Sequence, residues 1–163
     1  MARHTSIKSR NYKKSNWSHE NKGVFFTIDP ATSVNGLYQG GSNIVPATTS
    51  QGIRTVGNFT ITVPVSGAQT VEFYWALIYV PQGQTANPMF ANGGTLDSSL
   101  YEPNQYVLAS GISDSTAGPI RIRSRMMRKL HSGDFISLLI GTPGVITNTT
   151  PFRALVSYSI KYN

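Results

Sequence analysis

The segment Ile120–Leu130, IRIRSRMMRKL, most constrains the fold of this chain. Ile120, Ile122 and Met126 share one parity, and Arg121, Arg123 and Arg125 share the other. A period of two over this length reads as a strand with one apolar face and one face turned to water or a partner. The Met126-Met127 step breaks the alternation, as a β-bulge would. His131, Ser132, Gly133 and Asp134 then form a predicted turn, and residues 135–140 are an apolar run closed by Gly141. The reading is a strand, a tight turn and a buried strand, with an arginine ladder on the exposed face of the first.

The same test finds other strands. Residues 23–28 are the first, closed by Asp29-Pro30. Residues 31–51 read as a long loop with room for a short strand near Leu37 or Ile44. In residues 51–65, Phe59, Ile61, Val63 and Val65 alternate with Thr60, Thr62 and Pro64. Proline donates no ladder hydrogen bond, so Pro64 belongs at an edge or a strand end. Val71, Phe73, Trp75, Leu77 and Tyr79 share one face of a third strand. Its other face is also largely apolar after Glu72, which predicts an inner strand covered on both sides, with Trp75 in the core. Residues 84–103 read as a second long loop, residues 105–111 as a short strand, and residues 152–162 as a closing strand that pins the C-terminus into a sheet. No window carries a 3.6 period. Strands without helices, joined by long and irregular connections, predict an all-β, eight-stranded antiparallel jelly-roll sandwich.

Charge is unevenly placed. The formal net charge is +7 over 163 residues. Residues 1–22 hold six cations against Glu20, and Arg121, Arg123, Arg125, Arg128 and Lys129 add five more without an acid between them, leaving −3 for the remainder. Two basic patches on a slightly acidic body predict a polyanionic partner. Residues 1–22 are too polar to bury surface, so a disordered basic arm is expected there and one folded domain over 23–163. In the arm, lysines can meet phosphates while Tyr12 and Trp17 stack on bases, and the same charges suit nuclear import. The expected nucleic-acid-binding residues are Arg3, Lys8, Arg10, Lys13, Lys14, Trp17 and Lys22 in the arm and Arg121, Arg123 and Arg125 on the ladder, for which pairing with acids of a neighbouring copy or plain solvation are the alternatives.

Other chemistry has little to stand on. There is no cysteine. The three histidines lack metal-ligand spacing, and neighbours in the His131–Asp134 turn cannot adopt triad geometry with one another. Asp97, Asp114 and Asp134 leave a calcium ion at a subunit contact open. Gly40-Gly41 and Gly93-Gly94 lack the Lys-Ser/Thr of a phosphate loop. Asn16, Asn58 and Asn148 sit in glycosylation sequons that read as chance. No apolar run is long enough to span a bilayer, and the N-terminus has no secretory apolar region. No enzyme activity, cofactor, metal, membrane or small-molecule substrate is expected.

The basic arm, FYWALIYVPQG, SLYEPNQYVLASG, RIRSRMMRKLHSGDFISLLIG and the closing VSYSIKYN together resemble the single jelly-roll capsid proteins of small circular Rep-encoding single-stranded DNA viruses, the group that includes circoviruses and nanoviruses. The resemblance covers most of the chain. It implies a BIDG/CHEF sandwich, a sixty-copy icosahedral shell, an arm facing a single-stranded DNA genome, and location in the virion, with passage through the host nucleus. The arm here is shorter and poorer in arginine than that group often has. Coat proteins of small satellite RNA viruses share the size and layout. A carbohydrate-binding jelly roll using Tyr38, Phe90 or Tyr101 is a third reading, but it leaves the basic arm without a role. Met89, Phe90, Leu100 and Tyr101 mark loops 31–51 and 84–103 as expected contacts between copies.

Overall fold

The structure is a computed structural model that describes residues 16–28, 38–64, 72–86, 106–114, 118–143 and 150–162. Eight strands run through them: β1 (Ser18–Ile28), β2 (Tyr38–Val45), β3 (Arg54–Val63), β4 (Glu72–Val80), β5 (Tyr106–Asp114), β6 (Ile120–Leu130), β7 (Phe135–Thr142) and β8 (Thr150–Tyr162). No helix occurs among the described residues. The strands pair antiparallel in two four-stranded sheets, ordered β1-β8-β3-β6 and β2-β7-β4-β5. Among these eight strands only β4 and β5 are consecutive in sequence and members of one sheet.

Alternation explains the sandwich. Val24, Phe26 and Ile28 of β1, Ile120 and Ile122 of β6, and Ala154, Val156, Tyr158 and Ile160 of β8 turn inward from the first sheet. Phe73, Leu77 and Tyr79 of β4 and Ile136, Leu138 and Ile140 of β7 meet them from the second. Phe152 of β8 stacks on Phe26 with centroids 5.4 Å apart and meets Phe73 edge-on at 5.9 Å. Burying each of these large side chains contributes roughly 1.5–3 kcal/mol against the entropy of ordering the chain. As expected, β4 is an inner strand apolar on both faces, for Ala76, Ile78 and Val80 form a second buried cluster with Leu139. Trp75 is partly buried against the main core. Pro64 stands just past the end of β3, and β8 is held on both sides by β1 and β3.

Several expectations are corrected. The short strand read near Leu37 or Ile44 is present but longer, as β2 over Tyr38–Val45, and its Ile44 and Val45 are fully buried. The first strand begins at Ser18, five residues before Gly23, so Ser18–Lys22 belong to a sheet and not to an arm. Met126 does not share the inward face of Ile120 and Ile122, and is 51% exposed. The bulge lies one step earlier than expected. Phe59 pairs with Ser124 and Gly57 with Met127, so two steps on β3 oppose three on β6. Arg125 and Met126 are the residues between, and the Met126 N–H donates to Ser124 Oγ at 3.3 Å.

The matching irregularity on β3 is Asn58, with φ at 54°. Asparagine is among the few side chains that tolerate this left-handed conformation. It reverses the strand's phase: Arg54 and Val56 are buried on one parity, then Phe59, Ile61 and Val63 on the other. The β6–β7 turn closes as read, with the Asp134 N–H donating to the His131 carbonyl at 3.2 Å. Gly133 carries φ at 82° there, and a Cβ would strike the Gln82 side chain at 2.4 Å.

Candidate nucleic-acid interface

The arginine ladder belongs to a larger surface. Arg121, Arg123 and Arg125 are exposed on β6, an edge strand, and face away from the core. Arg121 pairs with Thr62 and Arg123 with Thr60. Those threonines pair with Leu155 and Ser157 of β8, which pair with Gly23 and Asn21 of β1. Thr55 lies between Lys129 and Lys161 in another row, and Arg153 lies opposite Phe25. The outer face of β1-β8-β3-β6 therefore collects Arg121, Arg123, Arg125, Lys129, Arg153 and Lys161.

Among the described residues no acid shares this face. Glu20 pairs with Tyr158 and so lies in the inward row of β1. Glu72 and Asp114 pair with each other in the second sheet, and Asp134 is buried. Alternate residues on a strand stand about 7 Å apart, where two like charges in water cost roughly 0.6 kcal/mol. The fold bears that cost, and a polyanion laid on the face relieves it. Arginine forks match phosphate oxygens in pairs, and the flanking threonines are further donors. The face also has an apolar component. Phe25 is 63% exposed, and the Arg153 guanidinium lies 5.1 Å from its ring centroid.

The other predicted site residues are dispersed. Lys22 pairs with Val156 in the inward row of β1, and its ammonium stands 6.0 Å from the Tyr158 ring centroid. Burial pushes its pKa down, and Glu20 partly opposes that shift. It sits at the core's edge, away from the ladder. Trp17 is half-buried just before β1. Arg3, Lys8, Arg10, Lys13 and Lys14 lie outside the described residues, as do Asp97, Met89, Phe90, Leu100 and Tyr101. Tyr38 packs partly buried against the core and is not a free loop aromatic.

Sequence reasoning missed a second charged cluster. Arg128 enters the sequence reading only as one of five charges on its strand, and its guanidinium stands 4.3 Å from the Tyr79 ring centroid and 5.3 Å from that of Tyr106. The Tyr79 hydroxyl donates to Asp134 Oδ2 at 2.9 Å. The same carboxylate accepts the N–H of Gln82 at 3.0 Å and of His131 at 2.8 Å. Arg54, buried, donates to the Asp134 carbonyl at 3.2 Å and to the Pro46 carbonyl at 3.1 Å. This cluster ties β3, β4 and the β6–β7 turn together. Asp134 is therefore a structural acceptor with its oxygens occupied, and not a free calcium ligand. The only local signal was an aspartate closing a His-Ser-Gly-Asp turn.

Among the described residues no group of three His, Cys, Asp or Glu could hold a metal ion. No helix there is long and apolar enough to cross a membrane. No family model matches the chain, and no curated protein is significantly similar to it.

Proposed function

We propose that the protein is a coat protein, which assembles with copies of itself into a small closed shell and packs single-stranded DNA against the outer face of β1-β8-β3-β6. The observation that carries this reading is the basic face, six cations wide and without an acid among the described residues. A sequence-independent packaging protein needs such a surface to meet the phosphate backbone. Two further observations support it. The order β1-β8-β3-β6 against β2-β7-β4-β5 is the BIDG and CHEF order of an eight-stranded jelly roll, when the strands are lettered B to I. Edge strands β5 and β6 also expose large apolar side chains, Tyr106 and Ile112 on one and Met126 and Met127 on the other. Exposed apolar groups on sheet edges favour contacts between copies. Residues 1–15, with Arg3, Lys8, Arg10, Lys13 and Lys14, add charge to the same task.

The test is the triple substitution of Arg121, Arg123 and Arg125 by Gln in the full chain. Sixty chains of 17.8 kDa make a particle of about 1.1 MDa, which light scattering separates from a monomer or trimer. Shells of normal size with a lower nucleic-acid to protein absorbance ratio are expected. Unchanged nucleic-acid content would remove the face from packaging. A wild-type chain that stays monomeric at all salt concentrations would overturn the coat-protein reading. Digestion of the co-purified nucleic acid by DNase and not RNase separates a DNA genome from the RNA of a satellite-type coat protein.

A further inference from the structure

The basic face is not uniformly polar. One row across the sheet runs Arg121, Thr62, Leu155, Gly23. Leu155 is 58% exposed, and Phe25 lies two residues from Gly23 on the same strand face. Gly23 leaves a gap between them, for a Cβ built there meets nothing within 4 Å. The result is a shallow, apolar-lined hollow bordered by Gly23, Thr62, Pro64, Arg153 and Leu155. Phosphate finds no donor on such a floor. A flat, weakly polar group finds dispersion contact there, with cations on either side.

We propose that this hollow is a base-binding subsite: it takes one unstacked base of a single strand against Leu155, in the open space at Gly23, while Arg153 at its border and Arg121 farther along the same row hold the adjoining phosphates. Strands stand about 5 Å apart and alternate residues about 7 Å apart, so the gap left by one missing side chain has the footprint of a nucleobase. The charge of the face selects a polyanion, and the apolar floor selects one whose bases are free. A duplex keeps its bases stacked and offers phosphates, sugars and base edges in its grooves, with no base face free to lie on the floor. The lining offers a base edge only the Thr62 hydroxyl and the Arg153 guanidinium, and the latter lies over the Phe25 ring, so discrimination among bases is weak. The face therefore prefers single strands to duplex with little preference among bases, as stacking platforms do. This rests on the reading that the face meets nucleic acid, and the experiment separates the two.

The full chain is titrated, by fluorescence anisotropy, with labelled oligothymidylate, an abasic strand of equal length and a duplex of equal length. Wild type is expected to bind oligothymidylate roughly tenfold more tightly than the abasic strand, the effect of about one stacked base. Gly23→Val fills the open space, and valine favours a strand, so the variant keeps its fold, checked by circular dichroism. It is expected to close the tenfold gap while abasic binding stays unchanged. Equal affinity of wild type for the two single strands overturns the subsite. So does a gap that survives Gly23→Val, which assigns the base contact elsewhere, Trp17 included. If Gln at positions 121, 123 and 125 leaves the affinity for all three probes unchanged, the face does not bind nucleic acid, and the packaging role falls with it. If those charges matter and the gap is absent, only the subsite fails.

Discussion

Asp134 is 4% exposed and accepts hydrogen bonds from Tyr79, Gln82 and His131. A buried carboxylate is tolerable only when its oxygens are satisfied, and each charge-assisted bond contributes about 1.5–3 kcal/mol. Asp134→Asn keeps the shape but turns an NH2 group toward at least one of these donors. We expect a loss of about 2–4 kcal/mol, seen as a lower urea midpoint with an unchanged slope. Two tyrosines make a separate, pH-dependent contribution. Burial raises the pKa of Tyr79, with its bond to Asp134 adding to the shift, and burial then Glu20 raise that of Tyr158. A raised folded-state pKa gives stability that is present below the ordinary value of 10.0 and is lost as pH climbs through the folded value. Stability should therefore fall above pH 10, and Tyr158→Phe should flatten that fall in denaturant titrations. Lys22 acts in the opposite sense. Its pKa is lowered, so it disfavours the fold while charged and relaxes as pH rises. It is common to both proteins compared and cancels. An equal slope in the variant would show that Tyr158 ionises as freely in the fold as in the unfolded chain.

At the scale of elements, β1 decides where the chain can be cut. Residues 18–22 pair with residues 156–160 of β8, and His19 Nδ1 lies 3.3 Å from Ser159 Oγ. Deleting residues 1–15 leaves all eight strands intact. Deleting residues 1–22 strips the first five residues of β1 and turns part of an inner strand into an unpaired edge. The shorter deletion should melt within a degree or so of the full chain, and the longer one should melt lower by ~5 °C or more and aggregate. Thermal scans by circular dichroism check both. Equal melting temperatures would mean that the Ser18–Lys22 pairing adds nothing to the sheet.

For the whole molecule, the distribution of charge gives a quantitative expectation. Single-strand affinity falls with salt, with a logarithmic slope of about −0.7 per phosphate neutralised. Replacing Arg121, Arg123 and Arg125 by Gln should make that slope shallower by roughly two. Arg128 lies over two tyrosine rings and Lys22 against the core. Substituting either should change stability more than the salt slope. A slope insensitive to the three ladder arginines would place the phosphates on other residues.

The strands themselves are sequence properties. Alternation depends on side chains one and two residues apart, so β3, β4, β6 and β8, the Gly133 turn and the outward ladder were all legible from local pattern. β2 was only half legible, because YQGGSNIV has two glycines and few apolar residues to mark a period. The phase of β3 was not legible either, since it reverses at Asn58, where a backbone angle and not a side-chain pattern sets the face. Tertiary structure alone made the site. Arg153, Lys161 and Phe25 join the ladder because β8 and β1 pair in a fixed register beside β3 and β6. Arg54 meets Asp134 across 80 residues of sequence, with no local sign in either. Local periodicity tells which side of a strand is wet. Which strands lie side by side is set by burial between two sheets, and that places four separate segments in one charged surface.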